Sequence, residues 1–261
     1  SPSANFTCWD ALYSIKRLVR KGWIIALPSF TFSFCKSGIY SNINSKSETG
    51  LYADWTYSNI ENSFRTNHPI YSYVISGDKS SIFKNINSET AWGDSSIFSI
   101  FEDYNARQVM LGCRWNSCTQ IHRYEELEKV PYRYYKTFNG LADYGFGMLK
   151  QNCKMYVRDL DVNAEVDTGL ISKNIKAADS YLEGYIFRGK VSSIATKELA
   201  QICHDQIGKD KYKLVKNPII KRNIEENILE SKNQDNVKIS ILGHTTLTFL
   251  STALEAKLLE L

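Results

Sequence analysis

Short apolar runs that alternate with amphipathic stretches constrain the fold of this chain more than any other feature of its sequence. The runs Trp23–Leu27, Tyr71–Ser76, Gln108–Leu111 and Lys154–Arg158 have the length of buried strands. Apolar spacing predicts helices around them, over Trp9–Arg20, Ser96–Asp103, Gln120–Lys129, Ala177–Tyr185 and Ala195–Ile207. Strands and helices that alternate in this way predict a layered α/β fold.

Composition and charge exclude several classes of protein. Hydrophobic residues make up 43% of the 261 residues, which is enough for a sizeable core and excludes intrinsic disorder. Strongly apolar runs such as Trp23–Leu27 are far shorter than the roughly 20 residues of a membrane helix. The net charge of +4 is too small to indicate a surface for nucleic acid. We therefore expect no membrane span and no nucleic-acid partner.

The six cysteines are spread singly along the chain, and none forms a C-x-x-C pair. A structural zinc site is therefore not expected, and we predict no metal cofactor. Single, scattered cysteines in a chain of this size are typical of reduced thiols, which predicts a cytoplasmic location.

The sequence divides into three parts. Residues 1–215 carry the alternating pattern, although Ser29–Asn67 is predicted as a long polar loop. Residues 216–236 are charged and amphipathic, which predicts a linker helix. Residues 237–261 predict a strand, a tight loop and a helix with leucines at helical spacing. This β-α segment is interpreted either as the start of a further domain or as the completion of the first sheet.

His122 is the strongest candidate for chemistry. It lies in the predicted helix Gln120–Lys129, for which Thr119 is the expected N-cap, and Glu125 and Glu126 follow at i+3 and i+4 on the same face. The helix N-terminus favours a neutral imidazole and the carboxylates favour a charged one, so we expect a pKa near neutrality, as a general base requires. The alternative is a structural histidine.

Other residues allow different hypotheses. Cys118 precedes His122 by four residues, so a Cys–His pair for covalent catalysis is an alternative. Arg65 and His68 stand at the entrance to a predicted strand, where they could bind phosphate or line a pocket. Asp159, Asp161 and the acidic residues after them could attract a cationic substrate, although a solvated loop is the commoner explanation.

Six segments with recognisable motifs follow one another along the chain: Leu27–Thr31, Ser47–Gly50, Arg65–Ser72, Trp92–Ser96, Leu111–Cys113 and Thr119–Glu125. The motifs Arg-x-x-His-Pro-x-x-Ser and Thr-x-x-His-x-x-Glu are the most specific among them. In these segments, and in Gly189–Val191 with Ala195, the chain resembles the aminoglycoside 3-N-acetyltransferase family. The resemblance covers about residues 1–207.

The resemblance implies an antibiotic N-acetyltransferase-like fold, a three-layer mixed sheet between helices, and the transfer of an acetyl group from acetyl-CoA to an amine. It implies that His122 is the catalytic histidine, with Glu125 as a possible orienting carboxylate. It also implies a set of residues that hold the cofactor: Ser1, Ser3, Pro28, Ser29, Arg65, His68 and Ser72. Main-chain N–H groups near Ser29 or in the Ser1–Ser3 loop are expected to bind the thioester oxygen. Arg188 stands where some members have an acidic residue, so the carboxylate partner of His122 stays open.

The acceptor implied by the resemblance is an amine on an amino sugar. Aminoglycoside-modifying members, which confer antibiotic resistance, require an acidic pocket, and here Asp159 and Asp161 are the obvious candidates for substrate binding. A biosynthetic amino sugar is the preferred alternative because it suits a less acidic site. A non-catalytic module that binds CoA or a carrier protein is a second alternative, and a homodimer or a further domain is a possible partner.

Overall fold

The computed structural model describes residues 13, 22–84, 86, 88–160, 165–186 and 189–216. The chain divides into two compact units. Of the described residues, the first unit comprises those up to Arg107 together with those in Tyr135–Tyr156 and Glu183–Val191. The second comprises those in Gln108–Tyr134, Val157–Leu182 and Ser192–Lys216. The predicted helix Trp9–Arg20, apart from Tyr13, and the predicted segments after Lys216 lie outside the described residues.

The chain order of helices and strands begins with β1 (Ile25–Pro28), α1 (Phe34–Ser37), β2 (Ile39–Ser41), α2 (Leu51–Asn59), β3 (Phe64–Arg65) and β4 (Tyr73–Ser76). It continues with α3 (Ile97–Asp103), β5 (Arg107–Leu111), α4 (Ile121–Leu127), β6 (Arg133–Asp143) and β7 (Met148–Arg158). It ends with α5 (Ser172–Lys176), β8 (Leu182–Ile186), β9 (Gly189–Ala195) and α6 (Thr196–Lys209). Short 3₁₀ turns lie at Ser80–Phe83, Trp115–Ser117 and Thr168–Ile171.

The described strands form three sheets of three strands each, with the orders β1–β4–β3, β2–β6–β7 and β5–β9–β8. In the first sheet β4 pairs antiparallel with both neighbours, and Leu27 lies opposite Val74. All four residues of β4 are buried, as expected for a central strand covered on both faces. In the second sheet the pairing of β2 with β6 is parallel. Antiparallel and parallel pairs together confirm the mixed α/β class.

Each unit has its own apolar core. In the first unit aromatic rings pack edge to face around β4, with centroids 4.9 Å apart for Phe30 and Tyr71 and 5.2 Å apart for Tyr73 and Phe101. In the second unit α4 packs against α6, and the side chains of Ile121, Tyr124, Leu199, Cys203 and Ile207 are buried between and around these helices. The apolar stripe of α6 therefore serves the packing that its 3.6-residue period predicts.

Several predicted elements are confirmed, and others are wrong for identifiable reasons. The Ser96–Asp103 and Ala195–Ile207 helices and the Gln108–Leu111 strand exist, and the Ser96 side chain accepts the N–H of Ser99 as an N-cap. The predicted loop Ser29–Asn67 instead contains α1, β2, α2 and β3. These elements are short and α2 lacks a clear apolar stripe, so their sequences carry no periodic signal.

The helix predicted over Ala177–Tyr185 is wrong. Helix α5 ends at Lys176, and Leu182–Ile186 is a strand that pairs within the sheet β5–β9–β8. Leu182 and Tyr185 are three residues apart, a spacing that fits a helix. Pairing with the neighbouring strand, which is not local, makes the segment a strand instead. The strand predicted over Lys154–Arg158 is the end of the longer β7, whose partner β6 was not predicted.

Glycine at position 140 is required by the close approach of β6 to the end of α1. Gly38 ends α1 in the left-handed conformation, with φ of +64°, and its carbonyl oxygen accepts the N–H of Leu141 at 2.7 Å. A Cβ added to Gly140 would overlap the backbone of Gly38. The contact between two backbones leaves no flexible side chain that could move away.

We expect Gly140→Ala to lower the free energy of unfolding by about 1–3 kcal/mol, because the added methyl group must push β2 and β6 apart. Gly184→Ala is the matched control, since Gly184 also lies in a strand and a Cβ there would meet open space. That variant should remain within about 0.5 kcal/mol of the parent. Urea denaturation measures both changes, and equal midpoints for the two variants would contradict the backbone contact.

Candidate active site

His122 and Glu125 lie one turn apart on α4, in the second unit. The helix begins after the 3₁₀ turn Trp115–Ser117, with Gln120 at the N-cap position. The expectation of Thr119 as the N-cap is wrong, because Gln120 holds that position and its side chain makes no capping hydrogen bond, while the Thr119 carbonyl accepts the His122 N–H at 3.0 Å. The His122 side chain is 27% exposed and that of Glu125 is fully buried. The imidazole therefore stands between the core and the surface.

The Glu125 carboxylate is held by three donors. Its Oε2 lies 2.5 Å from Nδ1 of His122 and 2.7 Å from the guanidinium of Arg133, and its Oε1 accepts the hydroxyl of Tyr132 at 3.0 Å. A buried carboxylate is stable only when its oxygens are paired in this way. The carboxylate partner of His122, which the sequence left open, is Glu125.

Electrostatics fix the protonation of this pair. Burial alone would raise the pKa of Glu125, but the charges and hydrogen bonds of His122 and Arg133 outweigh it and hold the pKa at about 2. Burial lowers the pKa of His122 below its usual range, Arg133 lowers it further, and Glu125 opposes both. The pKa is thus lower than the sequence led us to expect, because that expectation included neither the burial of the ring nor Arg133.

The ionised Glu125 selects one tautomer of His122. A carboxylate only accepts hydrogen bonds, so Nδ1 carries the proton and donates it to Oε2. The guanidinium of Arg133, 3.0 Å from Nδ1, is then a charge contact with the imidazole and a hydrogen-bond donor to the carboxylate. The lone pair of the neutral ring is left on Nε2. The arrangement can therefore accept a proton at Nε2.

A cavity of about 200 Å³ lies in the first unit beside His68. Nδ1 of His68 accepts the N–H groups of Ile70 and Tyr71 at 3.1 and 2.8 Å, and burial lowers the pKa of His68 to about 4, so the ring is neutral. The hydroxyl of Ser88 is buried and has no hydrogen-bond partner in the described part of the chain. The wall is mostly neutral and polar, with Thr66, Asn67, Ser88, Thr90, Tyr144, Gln151 and Asn152 among its residues.

Arg65, Ser72 and Ser29 are brought together in the first unit, but inside the protein. The Nε of Arg65 donates to the Ser72 hydroxyl at 2.8 Å, and one terminal nitrogen donates to the Ser29 carbonyl at 2.6 Å and to the Thr31 hydroxyl at 2.7 Å. Arg65 is 5% exposed, and Ser29 and Ser72 are fully buried. Arg65 therefore fixes the turn that follows Pro28, the exposed last residue of β1.

The main-chain N–H groups near Ser29 were expected to bind the thioester oxygen, and for this turn the expectation is wrong. The N–H groups of Ser29, Phe30 and Thr31 donate to the Ser72 carbonyl, the Thr49 hydroxyl and the Ile70 carbonyl. Protein acceptors already occupy these donors. Ser1 and Ser3, the other part of that prediction, lie outside the described residues.

The remaining predicted residues are placed as follows. Cys118 is buried, and burial raises its pKa to about 12, so its thiol is protonated and inert at neutral pH. Asp159 is partly buried, and its N–H donates to the Tyr132 carbonyl at 3.0 Å. Asp161 lies outside the described residues. In the described part of the chain, no cluster of His, Cys, Asp and Glu could hold a metal ion, and no helix is long and apolar enough to cross a membrane.

Sequence reasoning missed Tyr132 and Arg133, as well as a second polar cluster. Nδ1 of His204 lies 2.6 Å from Glu128, and the ammonium of Lys211 also contacts that carboxylate. The available signal for Tyr132 and Arg133 was their position directly after Pro131, which turns the chain back towards α4.

Known proteins share both the sequence pattern and the fold described above. The sequence model of the aminoglycoside 3-N-acetyltransferase family matches residues 37–207, well over half of the chain. The chain belongs to this family. Membership confirms the resemblance carried by the sequence motifs. No curated protein sequence matches the chain significantly.

Solved structures of this enzyme group share the fold at low sequence identity. Aminoglycoside acetyltransferase AAC(3)-Xa has a TM-score of 0.56 and 16% identity over 67% of this chain and 64% of its own. A mutant of AAC(3)-IVa in complex with a gentamicin has a TM-score of 0.67 and 15% identity over 83% and 82%. AAC-IIIb with CoASH has a TM-score of 0.53 and 14% identity over 64% and 65%. The chain thus spans just under two thirds of the length of AAC(3)-Xa and of AAC-IIIb.

The neutral state of His68 predicts a loss of stability in acid. Unfolded His68 binds a proton below about pH 6.5, whereas the folded ring does so only near pH 4, so stability falls as the pH drops between these values. We expect a loss of about 1–2 kcal/mol from this residue, since the ring is only partly buried. His68→Asn should remove that loss, because an Asn carbonyl can accept the same two N–H groups.

Urea unfolding of the parent and of His68→Asn at pH 7.5 and pH 4.5 measures this difference. Every other group titrates equally in both proteins, so the parent should lose more stability than the variant on acidification. A difference between the two that does not change with pH would contradict the neutral imidazole in the folded state.

Proposed function

We propose that this protein is an acetyl-CoA-dependent N-acetyltransferase in which His122 is the general base. The observation that carries the proposal is the contact of 2.5 Å between Nδ1 of His122 and the buried carboxylate of Glu125. It orients a neutral imidazole whose Nε2 can take a proton, which is what attack by an amine requires. A pure binding module has no need of such a pair.

The transfer is direct. The acceptor nitrogen forms a bond to the thioester carbonyl carbon while its proton passes to Nε2 of His122. The carbon–sulfur bond then breaks, and the CoA thiolate leaves and takes the proton back from the imidazolium. Glu125 stabilises the transient positive charge on the ring. The covalent alternative needs a thiolate at Cys118, which the raised pKa of this buried thiol opposes.

Acetyl-CoA is the proposed co-substrate. Family membership supports it, and the related AAC-IIIb binds CoASH in its solved structure. His68 and its cavity are the part of the predicted cofactor set that can reach a ligand, with the Ser88 hydroxyl as a further polar contact. Arg65 and Ser72 contribute by holding the turn at Ser29, and Pro28 is exposed at its start.

The proposed acceptor is an amine of an amino sugar, and a biosynthetic amino sugar is favoured over an aminoglycoside. The related AAC(3)-IVa binds a gentamicin, which is a polycation. In the second unit of this chain Glu125, Glu128 and Glu198 are engaged by protein donors. Carboxylates that already have partners attract a polycation less strongly, so a less charged acceptor suits this unit better.

A reducing compartment, and hence a cytoplasmic location, also suits the chain. The five cysteines that the structure describes, Cys35, Cys113, Cys118, Cys153 and Cys203, are all free thiols.

His122→Ala should lower kcat/KM by about 10²- to 10⁴-fold, because general-base catalysis supplies that much of the rate. CoA release in the presence of a reactive amine acceptor measures it. Cys118→Ala, which removes a buried thiol at the start of the same helix, is the control and should keep its activity. Near-normal turnover of His122→Ala would refute the base, and an inactive Cys118→Ala with a trapped acetyl-thioester in the parent would support covalent transfer.

The acceptor preference predicts the outcome of a substrate screen. With acetyl-CoA as donor, amino sugars and their nucleotide-linked forms should be acetylated with higher kcat/KM than kanamycin-type aminoglycosides. Mass spectrometry of the products identifies the acetylated amine directly. Rapid acetylation of aminoglycosides, with no reaction of the sugar nucleotides, would overturn the preference while leaving the reaction type intact.

A further inference from the structure

The three polar groups around Glu125 include one cation, Arg133, that a histidine–carboxylate pair does not itself need. The carboxylate of Glu125 is fully buried, and the side chain of Arg133 is 7% exposed. The guanidinium nitrogen that contacts Oε2 at 2.7 Å also lies 3.0 Å from Nδ1 of His122. A cation in contact with both an imidazole and its carboxylate lowers the pKa of each of them.

We propose that Arg133 is a positioning residue which, as the counter-cation of Glu125, keeps His122 neutral in the resting enzyme, while Tyr132 holds the second carboxylate oxygen in place. This inference rests on the proposed role of His122 as general base. Arg133 would not touch the substrate, since its partners are the carboxylate and the far side of the imidazole.

The physical argument compares two charge states. A buried carboxylate without a cation draws a proton onto the adjacent imidazole, because an imidazolium–carboxylate pair is less costly to bury than a lone anion. His122 would then be charged at rest and unable to accept a proton. With Arg133 present, the anion already has its cation, and a second positive charge 3.0 Å away on the imidazole is disfavoured.

Local structure explains how two neighbouring residues reach one carboxylate. The N–H of Val130 donates to the main-chain carbonyl of Glu125 at 3.2 Å, which ends α4 and turns the chain at Pro131. Tyr132 and Arg133 then fold back along the helix. The Tyr132 ring is fully buried, and its hydroxyl reaches Oε1, whereas Arg133 approaches Oε2. The two residues therefore fix both carboxylate oxygens from one turn.

Several groups near His122 are neutral or already paired. Helix α6 packs against α4 and contributes Cys203, a buried thiol whose pKa burial raises, and His204, which is paired with Glu128. Cys118, before the helix, is likewise a protonated thiol. Glu125 and Arg133 are charged groups that contact the ring directly, at 2.5 and 3.0 Å from Nδ1.

The test is the titration of His122 followed by NMR of the ¹⁵N-labelled imidazole in the full chain. We expect Arg133→Gln to raise the pKa of His122 by on the order of one unit or more, because the repelling charge is gone. Arg133→Lys is the matched control, since it keeps the positive charge, and it should stay within about half a unit of the parent. An unchanged pKa in Arg133→Gln, or an equal rise in both variants, would overturn the proposal.

Kinetics supply a second readout. The acid limb of kcat/KM against pH should move upward in Arg133→Gln by the same amount as the NMR titration, with KM for acetyl-CoA unchanged. A lower rate at every pH with no movement of the acid limb would mean that Arg133 has only a structural role. If the protein proves to transfer no acetyl group at all, the NMR titration still decides the charge argument, so failure of the proposed function and failure of this inference remain distinguishable.

If Arg133→Gln does not fold, a comparison with a double variant tests the proposal instead. The double variant Glu125→Gln with Arg133→Gln removes both charges, so it should fold where the single variant fails, because no uncompensated ion is left in the core. Circular dichroism and urea unfolding compare the two. A double variant that is as unfolded as the single one would show that Arg133 is needed for packing and would overturn its role as a counter-cation.

Discussion

A fully buried carboxylate governs the structure around the candidate base. Taking an anion such as Glu125 out of water costs several kcal/mol unless a cation and hydrogen-bond donors replace the solvent. The turn after α4 supplies both, in Arg133 and Tyr132, and the same carboxylate then fixes the tautomer of His122. The geometry of the base thus follows from the need to satisfy the carboxylate.

Arg65 is also a buried ion, but neutral groups stabilise it where Glu125 has a cation. Its guanidinium is paired with neutral oxygens, among them the Ser29 carbonyl and the hydroxyls of Thr31 and Ser72, and it lies 5.1 Å from the centroid of the Tyr40 ring. Neutral acceptors and an aromatic face compensate a delocalised cation better than they would a compact one. Arg65 and Ser72, the two ends of the Arg-x-x-His-Pro-x-x-Ser motif, therefore hold one turn in place.

The sequence predicted the parts of the molecule that local pattern determines. The i, i+3 spacing of His122 and Glu125 placed both on one helix face, and the apolar stripe of α6 was visible from its period. It failed where non-local pairing decides, as at Leu182–Ile186, a strand only because its sheet neighbour is there. Arg133 was not predicted as part of the site, because hydrophobic periodicity does not show in which direction a polar side chain points after a turn.

The contacts described for the candidate base all lie within residues 122–133. One helix turn and one proline turn set these distances, so the arrangement follows from local structure. The carboxylates of the second unit are not grouped in this way. Glu128 is paired with His204 and Lys211, and Glu198 accepts main-chain N–H groups. In the proposed reaction the base is therefore set by one short segment, whereas the choice of acceptor depends on carboxylates that are spread over the second unit.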